Sequence, residues 1–128
     1  MKDSILLIDD TFASRRVAKR LLKKLGYENI HEAHNGRQAS SMLKHSINFT
    51  FVLSDFFLGD SNILDVLRSL QEEGLSVGSP LVLMSSDIPP STLQEGRELG
   101  VSAVLRKPFS ADTLQDTVDE ILNRVKSS

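Results

Sequence analysis

Residues 4–10 read Ser4-Ile5-Leu6-Leu7-Ile8-Asp9-Asp10, an unbroken aliphatic run followed at once by two carboxylates. A short apolar stretch without alternation is what a strand buried on both faces of a parallel sheet requires. The pattern recurs at Phe51–Leu53, Leu81–Met84 and Val101–Leu105, the last interrupted by Ser102. Asn29–Ala33 is a fifth, more polar candidate.

The intervening segments carry helical period. Val17, Ala18, Leu21, Leu22 and Leu25 form one apolar face, with Gly26 as a C-terminal stop. Ala39, Met42 and Leu43 mark a shorter helix after an Asn35-Gly36 turn, and Leu64, Leu67 and Leu70 a third, capped by Asn62. Ser91 and Gln94 read as a capping box opening a fourth helix after Pro89-Pro90. Leu114, Val118, Ile121, Leu122 and Val125 mark the last, entered from Ser110. Strand then helix, five times over with short connections, predicts an α/β fold with a parallel sheet covered on both faces. Residues 1–128 are expected to form one domain.

Composition is that of an ordinary globular chain: 128 residues, 40% hydrophobic, 25% charged, net charge −2. That balance argues against nucleic acid or an anionic membrane as partner. The absence of cysteine excludes disulfides, iron–sulfur clusters and thiolate zinc sites. No apolar run approaches the ~20 residues of a membrane helix, so a cytoplasmic protein is expected.

The chemistry lies in the polar residues at the carboxyl end of each strong strand. Asp9 and Asp10 close the first, Asp55 the second, Ser85, Ser86 and Asp87 the third, and Lys107-Pro108 the fourth. Parallel sheets bind ligands outside the carboxyl ends of their strands, near the point where strand order reverses. In the flavodoxin-like order 2-1-3-4-5, these groups would share one crevice. Three carboxylates there call for a cation, and carboxylate oxygens suit Mg²⁺, which also takes phosphate oxygens as ligands. A phosphoryl group would meet Lys107 as a point charge and Ser85 as a hydrogen-bond donor. Asp55 is the best-placed nucleophile, forming an acyl phosphate.

Ile5-Leu6-Leu7-Ile8-Asp9-Asp10, Leu53-Ser54-Asp55, Leu83-Met84-Ser85-Ser86 and Arg106-Lys107-Pro108-Phe109 together resemble the receiver domain of two-component response regulators. The likeness runs from about Ser4 to the last helix and is nearest the single-domain, CheY-like members. It implies a flavodoxin-like (βα)5 sandwich with sheet order 2-1-3-4-5. Asp55 resembles the phosphoacceptor, Asp10 the direct metal ligand and Asp9 its water-mediated neighbour, with the Phe57 backbone carbonyl completing the metal's protein ligands. Ser85 and Lys107 resemble the catalytic hydroxyl and ammonium that meet the phosphoryl group, with Ser86 and Phe56 also at phosphate-binding positions. The Lys107–Pro108 bond is expected to be cis. The implied donor is a sensor histidine kinase or a histidine-phosphotransfer protein. The implied effector docks on the fourth helix, fifth strand and fifth helix. Four positions depart from the family pattern: Gly59 replaces a usual proline, Asn62-Ile63 a frequent Asp-Gly, and Val104 a common aromatic switch residue. Phe57, beside the presumed path of hydrolytic water, predicts slow phosphoryl loss, which Phe57→Asn should hasten.

Each residue also has a plainer reading. Asp9-Asp10 alone is a turn or capping pair, Asp55 a loop cap, Lys107 a surface lysine, and Ser85-Ser86 loop filler. Asp87 either caps a turn or places a water. Phe56, Phe57 and Phe109 read as packing around the site. His31, His34 and His45 lack ligand spacing and read as surface or half-buried. Arg15, Arg16, Lys19, Arg20, Lys23 and Lys24 form a basic stripe, either a solvated face or a docking surface for a phosphotransfer partner. The leading function is a phosphorylation-controlled binding module rather than a turnover enzyme. The alternatives are a receiver-fold interaction module that works without phosphorylation and a small magnesium phosphohydrolase.

Overall fold

The computed structural model describes residues 3–45 and 49–127, with side chains to residue 123. Five strands, β1 (Ser4–Ile8), β2 (Asn29–Ala33), β3 (Phe51–Asp55), β4 (Leu81–Ser85) and β5 (Val101–Arg106), form one sheet of order β2-β1-β3-β4-β5. Every pairing is parallel. Between and after them run α1 (Phe12–Lys24), α2 (Gly36–His45), α3 (Ile63–Glu72), α4 (Pro90–Glu98) and α5 (Ala111–Ser127). This is the expected flavodoxin-like fold. No helix among the described residues is long and apolar enough to cross a membrane.

The pleat divides the core. Successive strand side chains point to opposite faces, so Ile5 and Leu7 pack with Ala18 and Leu22 of α1 and Leu114, Val118 and Ile121 of α5. Leu6 and Ile8 pack with Ala39 of α2 and Ile63, Leu67 and Leu70 of α3. Both faces of the central strands are therefore covered, which explains their unbroken apolar runs.

Most of the predicted signals operate locally. Gly26, at φ +99°, ends α1: its amide bonds to Lys23 O at 3.0 Å, and the Tyr27 amide bonds to Leu22 O at 3.0 Å. Asn62 Oδ1 accepts the Asp65 amide at 2.9 Å, and Ser110 Oγ accepts the Thr113 amide at 3.2 Å. Ser102 marks a β-bulge: the register skips from Leu81↔Val101 to Val82↔Ala103.

Three expectations change. The Ser91/Gln94 capping box does not form, because α4 already begins at Pro90 with Pro89 as its cap. Proline's fixed φ suits a first helical turn, so Ser91 lies inside that turn instead of ahead of it. Asn35-Gly36 is a cap more than a turn, with Asn35 Oδ1 accepting the Gln38 amide at 2.8 Å. Val17, assigned to the buried face of α1, is 57% exposed. Val125 lies outside the described side chains.

Candidate functional site

The sheet register builds the site. Ile8 of β1 stands opposite Ser54 of β3, so Asp9 and Asp55 leave adjacent strands side by side. Asp9, Asp10 and Asp55 can each bring a carboxylate oxygen within 4.8 Å of the others. Ser85 stands opposite Arg106 across β4 and β5, and the Lys107 amide donates to Ser85 O at 2.9 Å. The Lys107–Pro108 bond is cis, as expected. The lysine ammonium turns into the cleft, 2.6 Å from Asp55 Oδ1 and 3.9 Å from Asp9 Oδ2.

Asp9 is fully buried and held on one side only. Its Oδ1 accepts the Thr11 amide at 2.9 Å, while Oδ2 is buried without a hydrogen-bond partner. A buried carboxylate oxygen that accepts no hydrogen bond is costly. Burial pushes the Asp55 carboxyl up to about 6; the Lys107 hydrogen bond opposes the shift, and the neighbouring Asp9 charge adds to it. The cleft therefore has more negative charge than its one lysine balances, with a bare oxygen at its floor.

The expected site residues separate into those that converge and those that stand aside. Asp9, Asp10, Asp55 and Lys107 converge. Ser85 sits at the end of β4 with its hydroxyl on the Asp87 backbone, 3.3 Å from both the amide and the carbonyl oxygen. Ser85 thus closes that turn. Ser86 is exposed and lines a groove of about 330 Å³ with Lys107 and Phe109. The Phe56 side chain packs against the α2/α3 face, which leaves only its backbone to meet a phosphate. Phe57 is 71% exposed and stands edge-on to Phe56 at 4.8 Å. Its backbone joins Asn62 in an antiparallel bridge made by Leu58 N–H to Ser61 O and Ile63 N–H to Phe56 O, each within 2.9 Å. Neither bond uses the Phe57 carbonyl. His31, His34 and His45 are exposed.

Supporting residues escaped the sequence reading. Ser14 Oγ accepts from Lys107 Nζ at 3.1 Å, ninety-three positions away in the chain. Arg15, read as part of a basic stripe, is 7% exposed: it donates to Asp9 O at 2.8 Å and pairs with Glu32 at 3.1 Å. Lys19 shares Glu32 at 3.0 Å. The stripe therefore divides into a paired edge, with Arg15 buried and Lys19 half-buried, and an exposed one of Arg16, Arg20, Lys23 and Lys24. The available signal was spacing: Arg15 and Lys19 stand one helical turn apart, so one β2 carboxylate can reach both.

The family model of the response regulator receiver domain matches residues 5–119. The chain belongs to that family. Among curated relatives of this receiver, the chemotaxis protein CheY of Pseudomonas aeruginosa is 32% identical, over 94% of this chain and 97% of that one. The solved structure of Vibrio cholerae CheY4 superposes with a TM-score of 0.81 at 23% identity, covering 94% of this chain and 99% of that one. The receiver domain of sensor histidine kinase PA1611 from Pseudomonas aeruginosa does so at 0.81 and 20% identity, covering 96% and 99%. That protein holds a magnesium ion in its active-site cleft. The structural likenesses speak for the fold. The receiver assignment rests on the family match and the curated relative, and it places this CheY-like receiver within two-component signalling.

Proposed function

We propose that this receiver accepts a phosphoryl group on Asp55 in a Mg²⁺-dependent reaction and thereby alters which partner it binds. The observation that carries the reading is the pairing of Lys107 with Asp55 at 2.6 Å beside a buried Asp9 oxygen that accepts no hydrogen bond. The donor set fits a hard cation: Asp9, Asp10 and Asp55, with the Phe57 carbonyl outside the local hydrogen-bond ladder. A bound Mg²⁺ supplies charge neutralisation on the acceptor and on the incoming phosphoryl oxygens. Asp55 attacks phosphorus, the donor's N–P bond breaks, and an acyl phosphate forms. Lys107 stays close enough to pair with the new phosphoryl oxygens, and the Ser85 hydroxyl must leave the Asp87 backbone to reach them.

The donor is a phosphohistidine on a sensor histidine kinase or histidine-phosphotransfer protein. The α1 helix begins at the cleft and presents exposed cations together with Phe12 at 67% and Val17 at 57% exposure. That surface suits an approaching protein better than a small substrate. The effector face is α4–β5–α5, where Val104 is 36% exposed. The receiver is a switch acting in the cytoplasm, and its only chemistry is on itself.

The test is intact mass after incubation with acetyl phosphate and Mg²⁺. One added phosphoryl group is expected, absent from Asp55→Asn and from a metal-free control. A wild-type chain that binds Mg²⁺ yet takes up no phosphoryl group from acetyl phosphate or a phosphorylated histidine-phosphotransfer protein would leave the phosphorylation-independent module. On the same adduct, Phe57→Asn is expected to shorten the lifetime, read as mass loss over time.

A further inference from the structure

The loop after β3 carries two parts of the proposed metal site. Phe57 offers its carbonyl, and Gly59 lies against Asp10, close enough that a Cβ there would sit 3.4 Å from Asp10 Oδ2. Gly59 has φ +82°, and the Asp60 amide turns back to Leu58 O at 2.9 Å. Proline, whose ring holds φ near −65°, cannot adopt this turn. The loop is therefore a different shape from one stiffened by proline, and something else must hold it.

Asp60 supplies the hold. Its Oδ1 accepts the Gly36 amide at 2.7 Å and its Oδ2 the Arg37 amide at 3.1 Å, both free donors of the first turn of α2. The approach is so close that a Cβ on Gly36 would meet Ser61 Oγ at 2.1 Å and Asp60 Oδ1 at 3.0 Å. A buried glycine on one element and a bidentate carboxylate on another thus lock the loop to a helix twenty-four positions earlier.

We infer that Asp60, through its clasp on the α2 N-terminus, is a positioning residue for the metal site: it holds Gly59 against Asp10 and orients the Phe57 carbonyl. The inference rests on the magnesium reading above and adds that affinity depends on this clasp. It acts through hydrogen bonding.

The experiment is Mg²⁺ titration by calorimetry of the whole chain, wild type against Asp60→Ala and Asp60→Asn. Amide hydrogen exchange of the metal-free proteins is followed at Gly36, Leu58 and Ile63. Asp60→Ala is expected to weaken Mg²⁺ binding roughly ten-fold, the low end of the losses seen when supporting groups behind metal ligands are removed. It should also speed exchange at Gly36 and Leu58. Asp60→Asn keeps one of the two oxygen acceptors and turns an NH2 toward the other amide, so its affinity should fall between those of wild type and the alanine variant. It also carries the test if the alanine variant fails to fold. Equal affinities in all three proteins would overturn the inference, and so would weakened Mg²⁺ binding without faster exchange at Gly36 and Leu58, which would point to charge. Absence of Mg²⁺ binding by the wild type would instead overturn the magnesium reading, and the clasp's role with it.

Discussion

Asp55 is held in a state its own chemistry resists. With its carboxyl raised to about 6 from 3.8, the native protein binds more protons than the unfolded chain between those values. Stability from this group therefore falls as pH rises through that window, leaving the metal-free receiver weaker at pH 7 than at pH 5. Asp55→Asn should remove that slope and stabilise the metal-free protein at pH 7 by roughly 1–2 kcal/mol, discounted for solvent at the cleft mouth. Urea midpoints of wild type and variant in chelator at both pH values give the comparison. A wild-type-minus-variant difference that does not change with pH would contradict it. The residues that converge were largely legible, because a polar group at a strand's carboxyl end has few other places to go. Ser14 and Asp60 were not, since nothing local distinguishes them from other loop and helix residues.

Among the elements, α4 is the least anchored helix. Gly96 is its one buried residue, and Arg68 of α3 reaches across to Glu95 in an exposed ion pair. Surface pairs of this kind contribute little, so α4 rests mainly on a glycine contact. A Cβ at Gly96 would lie 3.4 Å from Val101 Cγ2 and 3.5 Å from Leu64 Cδ2, ordinary contact distances. Gly96→Ala should therefore gain helix propensity and packing together, raising stability by roughly 0.5–1 kcal/mol. An increased urea midpoint at unchanged slope is the expected result. The weakly held helix lies on the proposed effector face, where movement is cheap. Its start also shows how a sequence signal is overruled: Ser91 and Gln94 have capping-box spacing, but Pro90 begins the helix two residues too early for the box.

At the scale of the molecule, the fold gathers like charges from strands far apart in sequence and leaves a buried carboxylate oxygen without a hydrogen bond. A cation that binds only the folded state offsets that cost by mass action. Free Mg²⁺ at a hundred times its Kd should stabilise the protein by about 2.7 kcal/mol, a Tm rise of roughly 10 °C for a chain this size. Thermal melts with and without Mg²⁺ check it, and Asp55→Asn should lose most of the increment. Sequence alone determined the alternation of strands and helices, the parallel sheet and the acidic ends of its central strands, because burial on both faces forces a continuous apolar run that ends where solvent begins. Only the tertiary structure decided that Arg15 is buried beneath Asp9, that Lys107 rests on Ser14, and that Asp60 grips α2. The Lys107 and Asp60 contacts, and the Glu32 that pairs with Arg15, join positions many residues apart, and no local pattern encodes which distant partner a side chain will meet.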